Sequence, residues 1–356
     1  MVKVALIGCG GIAKGAHISG YKNINNAEVV AVCDILPERM DEAENKLGKK
    51  VKKYTDYKEL IDKEDIDMVD ICTPNYLHAD IAIYALEHGV HAFSEKPDTI
   101  SVERVLDMKK AQEESGKHLM VMRNNRYWPS SKELKAMVDS GDFGEIYTGR
   151  CGWIRRRGIP GRGGWFTTKE MSGGGPLIDL GVHMIDLAIY LMGNPRAVSV
   201  SGSTYNKFAD SEDKSDSLHS KFGDAVEDGV FDVEDLAIGF IKFENGASLQ
   251  IEFSWASNIK RETTFVELRG TKLGAKWANG SYEIYDGKKG SVLKNTAKKL
   301  GQYSKYKNIH GANLQHFVNV IENKEKPDFT IDQGVNMIKI LNAIYESAET
   351  GKEVIL

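Results

Sequence analysis

Short apolar runs alternate with helical patterns of hydrophobic positions over the first 123 residues of the chain. The runs that predict strands are Val2–Ile7, Val29–Cys33, Met68–Cys72, His91–Phe93 and Leu119–Met122. The patterns that predict helices between them are Ile12–Tyr21, Glu38–Leu47, Tyr57–Ile61, Tyr76–Glu87 and Val102–Glu114. Continuous apolar strands separated by helices are typical of a parallel sheet covered on both faces. Residues 1–123 are therefore predicted to form a doubly wound α/β domain.

The pattern changes after about Gly149, where longer runs with partial alternation predict strands. These runs are Val198–Tyr205, Leu236–Phe243, Ala247–Trp255, Thr264–Arg269 and Ala275–Trp277. The Asn245-Gly246 pair between two of them predicts a tight hairpin. Helices are predicted at Leu177–Leu191, Asn313–Ile321 and Gln333–Ala348, and an acid-rich surface loop is predicted from Asp210 to Asp235. We therefore expect residues 124–356 to form an α+β domain with a large, mainly antiparallel open sheet.

Composition and charge narrow the classes of function. The net charge of -4 argues against a nucleic-acid partner, which usually leaves a basic footprint. The most apolar helix, around Met184 to Met192, is short and carries Asp186, so we do not expect it to span a membrane. The chain opens directly into a strand without a secretory pattern, and its four cysteines lack zinc-type spacing. We expect a cytoplasmic protein without a metal site.

A glycine-rich turn, Gly8–Ala13, lies between the first predicted strand and the first predicted helix. In a dinucleotide-binding turn, Gly8 allows the tight bend, Gly10 lets the backbone approach the phosphates, and Ala13 allows close helix–strand packing. The helix N-terminus then offers N–H groups and a partial positive charge to the pyrophosphate. Asp34, after the second strand, is placed to accept hydrogen bonds from ribose hydroxyls and to repel a 2′-phosphate. The pattern predicts a Rossmann domain that binds NAD, with NADP disfavoured.

Polar residues follow the fourth predicted strand, where loops of a parallel sheet form the ligand crevice. Thr73, Pro74 and Asn75 lead into a helix whose first turn holds His78. Two interpretations remain open for Asn75 and His78. They line the cofactor site, or Asn75 only caps a helix and His78 is a surface residue of its first turn.

The sequence Glu95-Lys96-Pro97 follows the fifth predicted strand. Pro97 restricts Lys96 to an extended conformation, which can aim the lysine into the crevice. A lysine there can donate to a substrate hydroxyl and stabilise the alkoxide that develops as hydride leaves. The alternative is an ordinary solvated lysine in a loop.

A second cluster of polar residues is predicted on the helix that begins after Gly173-Gly174-Gly175-Pro176. Asp179 and His183 are four residues apart, so they project from one face of a helix, with Asp186 near the same stripe. The alternatives are a charge at the helix entry and a buried core histidine.

These motifs, in this order and spacing, resemble those of the glucose–fructose oxidoreductase/inositol dehydrogenase (Gfo/Idh/MocA) family. The similarity covers essentially the whole chain, including Asn124-Asn125-Arg126-Tyr127 near the predicted domain junction. It implies a catalytic group of Lys96, Asp179 and His183. The cofactor site that it implies consists of Gly8, Gly10, Gly11, Ile12, Ala13, Asp34, Thr73, Pro74, Asn75, His78, Glu95, Lys96 and Asn124. The chain departs from the family pattern at Asn125, where arginine is frequent, and at Trp165-Phe166, where Trp-Arg is frequent.

The reaction that this resemblance implies is hydride transfer between a secondary alcohol of a sugar, glycoside or cyclitol and the nicotinamide. The oxidation of a glycoside at its ring C3 hydroxyl is one form of it. His183 is the expected base, since an imidazole titrates near neutrality, Lys96 polarises the oxygen, and Asp179 orients both. The expected substrate contacts are Lys96, Arg126, Tyr127, Trp165, Asp179 and His183, with Tyr303 and His310 as weaker candidates.

Some alternatives remain open on sequence alone. Trp165 stacks on a pyranose ring, or the segment 153–165 is a surface loop or a subunit contact. The protein is a sugar dehydrogenase, an NAD-dependent glycosidase that oxidises transiently and re-reduces, or a non-catalytic ligand-binding relative. The resemblance favours a homodimer or a homotetramer.

Overall fold

The computed structural model describes residues 1–209, 223–287, 291–295 and 308–356. The chain divides into two compact units, Met1–Asn124 with Leu300–Val335, and Asn125–Lys299 with Asn336–Leu356. The predicted second domain, 124–356, therefore differs from the second unit, because a late segment of the chain returns to the first. Gly20 allows this late segment to pack closely, because a Cβ added at Gly20 would lie 2.8 Å from Cα of Gly311.

The first unit is built on a parallel six-stranded sheet with the strand order β3-β2-β1-β4-β5-β6. Its strands are β1 Val2–Ile7, β2 Ala27–Cys33, β3 Lys52–Tyr54, β4 Met68–Ile71, β5 His91–Ser94 and β6 Leu119–Val121. The order reverses between β1 and β4, and a ligand crevice forms at the carboxyl ends of the strands at such a point. This confirms the predicted doubly wound sheet. The short edge strand β3 was missed because its lysines give it no apolar run.

The helices of the first unit cover this sheet. They are α1 Ile18–Tyr21, preceded by a π-helical segment Ala13–His17, α2 Pro37–Leu47, α3 Tyr57–Lys63, α4 His78–Glu87 and α5 Val102–Ser115. Short 3₁₀ turns occupy Asn75–Leu77 and Asn124–Tyr127. Ser101 caps α5 by accepting a hydrogen bond from the Arg104 N–H, and Gly48 and Gly116 end α2 and α5 in the left-handed conformation.

The second unit contains a nine-stranded sheet with the order β14-β13-β12-β11-β7-β10-β9-β8-β15. Its strands are β7 Ile146–Ile154, β8 Ala197–Tyr205, β9 Leu236–Phe243, β10 Ser248–Ser254, β11 Thr263–Gly270, β12 Leu273–Ala278, β13 Ser281–Asp286, β14 Ser291–Asn295 and β15 Val354–Ile355. Among the strand pairs of the described residues in this sheet, only β7–β10 is parallel, which confirms the mainly antiparallel prediction. The central strand β7 was not predicted, because Gly149, Arg150 and Gly152 interrupt its alternation.

The helices of the remaining chain are α6 Pro129–Asp139, α7 Lys169–Ser172, α8 Val182–Leu191, α9 Ile309–Ile321 and α10 Ile331–Thr350. A 3₁₀ turn at Trp165–Thr167 precedes α7, and a π-helical segment at Leu177–Gly181 precedes α8. Among the described residues, one helical stretch, Lys169–Leu191, is long and apolar enough to be a candidate membrane span. Of its most apolar window, 83% is buried inside the protein, as in a core helix.

The prediction of an acid-rich surface loop from Asp210 to Asp235 is corrected at its end. Residues 210–222 lie outside the described part of the chain. Glu234 and Asp235 are only 7% and 1% exposed. Both carboxylates accept backbone N–H groups, so these acids are internal hydrogen-bond acceptors and not solvated charges.

Candidate active site

In the glycine turn after β1, the backbone requires a glycine at position 8, whereas Gly10 and Gly11 border open space. Gly8 has a φ of +90°, and a Cβ there would lie 2.6 Å from the carbonyl carbon of Cys72. At Gly10 and Gly11, by contrast, an added Cβ would meet no described atom within 4 Å. Ala13 is fully buried, as the third position of this turn requires. The open space beside Gly10 and Gly11 fits a bound pyrophosphate.

Asp34 is held at this turn by two backbone groups. Its Oδ2 accepts the Cys9 N–H at 2.8 Å, and its Oδ1 accepts the Leu36 N–H at 3.0 Å. A carboxylate offers about four lone-pair sites, so each oxygen retains acceptor capacity for a ribose hydroxyl. The orientation that these bonds impose agrees with the predicted adenosine end of a cofactor site.

Two further residues of the predicted cofactor site leave polar atoms unpaired inside the protein. The Thr73 hydroxyl and the Asn124 amide oxygen are buried without a hydrogen-bond partner among the described residues. A buried polar group without a partner is costly, and a polar ligand can satisfy it. The amide nitrogen of Asn124 lies 3.1 Å from Nε2 of His310, whose burial lowers its pKa to about 4. His310 is thus neutral and accepts from Asn124, while Tyr303 lies outside the described residues.

His78 and Asn75 have roles inside the loops after β4 and β5. His78 is 1% exposed, so it is not a surface residue. Its ring nitrogens lie 2.7 Å from the Pro97 carbonyl oxygen and 3.0 Å from that of Thr73. A neutral imidazole donates through one nitrogen only, so one contact is a hydrogen bond and the other a close approach. Burial lowers the pKa of His78, which agrees with the neutral form.

The alternative role of Asn75 as a helix cap does not agree with the structure. Leu77 occupies the N-cap position of α4, and Pro74 precedes the 3₁₀ turn that contains Asn75. Neither end has a side-chain cap, and Asn75 itself is 6% exposed.

The Glu95-Lys96-Pro97 turn is anchored through Glu95. Oε1 of Glu95 lies 2.8 Å from Nε2 of His17, and Oε2 accepts the Lys96 N–H at 3.1 Å. Burial alone raises the pKa of Glu95, but the hydrogen bond and charge of His17 outweigh it and hold that pKa well below its usual range. The Lys96–Pro97 peptide bond is cis, and Lys96 is the half-buried member of a turn whose other residues are buried.

The second unit presents the other predicted cluster. In the stretch 174–189 every residue is buried except Asp179 and His183, which are both partly exposed. This pattern contradicts the interpretation of His183 as a buried core histidine. Oδ2 of Asp179 accepts the indole N–H of Trp255 at 2.9 Å, and the ring of His183 lies 5.9 Å from that of Trp153. One helix face therefore turns an oriented carboxylate and an imidazole out of the core.

The glycine-rich turn before this helix is filled by two residues that the sequence analysis missed. A Cβ on Gly174 would lie 2.0 Å from Oη of Tyr345, and one on Gly175 would lie 2.0 Å from the Glu234 carbonyl oxygen. The Glu234 side chain accepts from the Gly175 N–H at 2.9 Å, the Leu177 N–H at 3.0 Å and the Tyr345 hydroxyl at 2.9 Å. It therefore fixes the start of the helix that bears Asp179.

Arg126 is corrected as a substrate contact. Its Nε and Nη2 donate to Asp186 at 2.8 and 2.6 Å, and the residue is 2% exposed. This bidentate pair fixes α8, so little of the guanidinium is left for a sugar hydroxyl. Tyr127 is 5% exposed, with the ammonium of Lys132 4.8 Å from its ring centre.

The predicted stacking of Trp165 on a pyranose ring stays a prediction. Its ring stacks on Phe166 with centres 3.8 Å apart, and Trp165 is half-buried. One indole face is thus covered by the residue at which the chain departs from the expected Trp-Arg pair.

A doubly wound dinucleotide-binding sheet and a mainly antiparallel sheet, with a partly exposed Asp-x-x-x-His face, are typical of two-domain nicotinamide-dependent oxidoreductases. Residues 2–123 match the family described as the oxidoreductase family with an NAD-binding Rossmann fold, and residues 131–276 match the GFO/IDH/MocA C-terminal domain. The chain belongs to the Gfo/Idh/MocA family of oxidoreductases, which confirms the resemblance seen in its motifs.

Two relatives are named for the dehydrogenation of sugars. The chain is 32% identical over 354 residues to the D-glucoside 3-dehydrogenase of Escherichia coli K12, covering 99% of this chain and 97% of that protein. It is 31% identical over 244 residues to the levoglucosan dehydrogenase of Pseudarthrobacter phenanthrenivorans, covering 68% of this chain and 62% of that protein. A levoglucosan dehydrogenase solved with NADH and levoglucosan superposes with a TM-score of 0.86 at 23% identity, covering 99% of each chain. That structural match confirms the fold.

Proposed function

We propose that this protein is an NAD-dependent dehydrogenase that oxidises a secondary alcohol on the ring of a sugar, most directly the C3 hydroxyl of a glucoside. The observation that carries the proposal is the partly exposed pair Asp179 and His183 on a stretch that is otherwise buried from residue 174 to 189. The full-length similarity to a D-glucoside 3-dehydrogenase supports the substrate class.

NAD is the proposed cofactor, and the residues of the first unit fit it. Gly10 and Gly11 leave space for the pyrophosphate, and Asp34 presents oriented oxygens for the ribose. A carboxylate in that position repels the 2′-phosphate of NADP. When bound, the cofactor supplies the hydride acceptor at C4 of its nicotinamide.

Three side chains, Lys96, Asp179 and His183, carry the proton-transfer and charge-stabilising roles of the reaction. His183 takes the hydroxyl proton as the C–H bond on the same carbon breaks and its hydride leaves for the cofactor. The Lys96 ammonium stabilises negative charge on the oxygen until the carbonyl forms. Asp179, oriented by the Trp255 indole N–H, orients His183 on the same helix face and balances the charge of the imidazolium. The products are the keto sugar, NADH and one proton.

Trp153 supports a cyclic substrate. It is half-buried beside His183, unlike the fully buried Trp255. The guanidinium of Arg155 lies 5.1 Å from the Trp153 ring centre, which fixes the indole plane. We propose that this indole contacts the apolar C–H face of a pyranose ring.

The test is a panel of glucosides, free aldoses, anhydrosugars and inositols with NAD and NADP separately, monitored by the absorbance of the reduced cofactor. We expect net NADH formation with glucosides. A tightly held cofactor with no net NADH but cleavage of the glycoside would support the NAD-dependent glycosidase instead, and no response to any sugar would support a non-catalytic relative.

Substitution of Lys96 tests the assignment of roles. Lys96→Ala is expected to lose turnover by about a thousandfold, since an oxyanion-stabilising donor is removed. The dissociation constant of NAD, measured by fluorescence titration, is not expected to rise by more than about threefold, because the pyrophosphate turn and Asp34 are intact. Unchanged turnover in this variant contradicts the assignment. The homodimer or homotetramer remains a prediction that sedimentation velocity tests.

A further inference from the structure

A cluster of ionisable groups lies inside the first unit, and the proposed chemistry does not use it. His17 is fully buried, with Nδ1 2.8 Å from Oδ2 of Asp70 and Nε2 2.8 Å from Oε1 of Glu95. Asp70 is 0% and Glu95 5% exposed. We call these three residues the buried triad.

The geometry of the buried triad fixes its proton count. Each of its two hydrogen bonds needs one proton, so the imidazole and the two carboxyl groups share two protons between them. Wherever those protons reside, an imidazole and two carboxylates with two protons carry a net charge of minus one. The charge of Asp70 raises the pKa of His17 well above its usual value against the opposing effect of burial. The triad is therefore an imidazolium between two carboxylates.

Three ionisable groups around the triad, Cys72, Tyr21 and His310, are uncharged near neutrality. The Cys72 sulfur lies 3.4 Å from Nδ1 of His17, and burial raises its thiol pKa to about 12, so it remains neutral. Burial also raises the pKa of Tyr21 and lowers that of His310, and both stay uncharged near neutrality. Lys96, whose backbone N–H donates to Glu95, carries a positive charge that opposes the triad, so the preference tested below is the net effect of both charges.

We infer that the buried triad is a fixed negative charge by which this enzyme binds the oxidised cofactor more tightly than the reduced one. The inference rests on the proposed function, since that function places the reacting nicotinamide at Lys96. An oxidised nicotinamide ring carries a positive charge, and the reduced ring carries none. A buried charge is screened little by solvent, so it attracts the oxidised ring selectively.

This preference has a consequence for the direction of turnover. An enzyme that holds NAD more tightly than NADH releases the reduced cofactor readily after each oxidation. It therefore suits a dehydrogenase with an exchanging cofactor.

The test compares dissociation constants of NAD and NADH for the full-length protein, by calorimetric titration without substrate. Asp70→Asn and Glu95→Gln each remove one negative charge and keep an oxygen that accepts from His17. We expect the ratio Kd(NADH)/Kd(NAD) to exceed one in the unmodified protein and to fall by about tenfold in both variants, mainly through weaker NAD binding. Glu113→Gln, which removes an exposed carboxylate on α5, serves as the matched control and should leave the ratio unchanged.

A ratio within twofold of the unmodified protein, in a variant with native near-ultraviolet circular dichroism, overturns the inference. The two variants alter opposite ends of the triad, so either folded variant answers the question. Equal affinity of the unmodified protein for both cofactor forms also overturns it. Failure of every sugar to reduce NAD would contradict the proposed function instead, and it leaves this binding ratio measurable.

Discussion

The cofactor turn and the turn before Asp179 begin in the same way and use their glycines for opposite purposes. Each is a glycine-rich bend followed by a π-helical segment and then an α-helix, Ala13–His17 before α1 and Leu177–Gly181 before α8. In the first turn Gly10 and Gly11 border open space. In the second, Gly174 and Gly175 are in contact with Tyr345 and Glu234.

A glycine motif alone therefore does not reveal whether the space beside the glycine is left for a ligand or is filled by the protein itself. In the cofactor turn the space is left for a ligand, so the cost of a substitution falls on binding. In the second turn the space is occupied by the protein itself, so the cost falls on stability and on the placement of Asp179. π-Helical segments are rare and frequent at functional sites, which fits their presence at both turns.

The largest expected effect is a loss of turnover on substitution of His183, without a change in the NAD binding assigned to the first turn. His183→Asn keeps the polarity of the side chain and removes the base, so turnover should fall by about a thousandfold. The Kd of NAD should not change, since His183 lies outside the cofactor turn. Steady-state rates and NAD titration together check this, and a tenfold weaker NAD affinity would contradict the division of roles.

The two turns are compared directly by paired alanine substitutions. Gly175→Ala places a Cβ against the Glu234 carbonyl oxygen and should lower the free energy of unfolding by about 1–3 kcal/mol. Gly10→Ala enters open space, so stability should change by less than about 0.5 kcal/mol, while NAD affinity falls about tenfold. Urea unfolding and NAD titration of both proteins measure this. Equal destabilisation by the two substitutions would remove the distinction.

Substitution of Trp153 tests whether the second unit binds the sugar ring. Trp153→Ala should raise the KM for a glucoside about tenfold, because it removes the proposed stacking surface, while the NAD affinity stays unchanged. Trp153→Phe should recover part of the loss. Equal KM values in all three proteins would assign the indole a role in packing His183 alone.

The smallest effect is a difference in acid response. The pKa of Glu95 is lowered by His17, so its contribution to stability is present above the unfolded value near 4.5 and is lost as the pH falls. Burial raises the pKa of Glu234, so its contribution is present below 4.5 and is lost as the pH rises through the folded value. Free energies of unfolding from pH 3 to 6 should therefore respond in opposite senses to Glu95→Gln and Glu234→Gln. Parallel profiles would contradict these assignments.

Local sequence signals predicted those parts of the fold and site that depend on neighbouring residues. Hydrophobic runs predicted most strands, and the four-residue spacing predicted that Asp179 and His183 share one helix face. Partners distant in sequence were not predictable in this way. Arg126 was assigned to substrate because its charge is visible in the sequence, whereas its partner Asp186 is 60 residues away. Glu234 was obscured by the acid-rich segment that precedes it, and Trp255 gave no sign of its bond to Asp179.

The central claim is that hydride passes from a ring carbon of a sugar to the cofactor. Incubation of the unmodified enzyme with NAD and a methyl glucoside deuterated at C3, followed by mass spectrometry of the reduced cofactor, tests it most directly. The proposed function predicts reduced cofactor that carries one deuterium, together with the 3-keto glucoside. Unlabelled NADH from that substrate would contradict the C3 assignment, and the absence of reduced cofactor with every sugar tested would contradict the dehydrogenase itself.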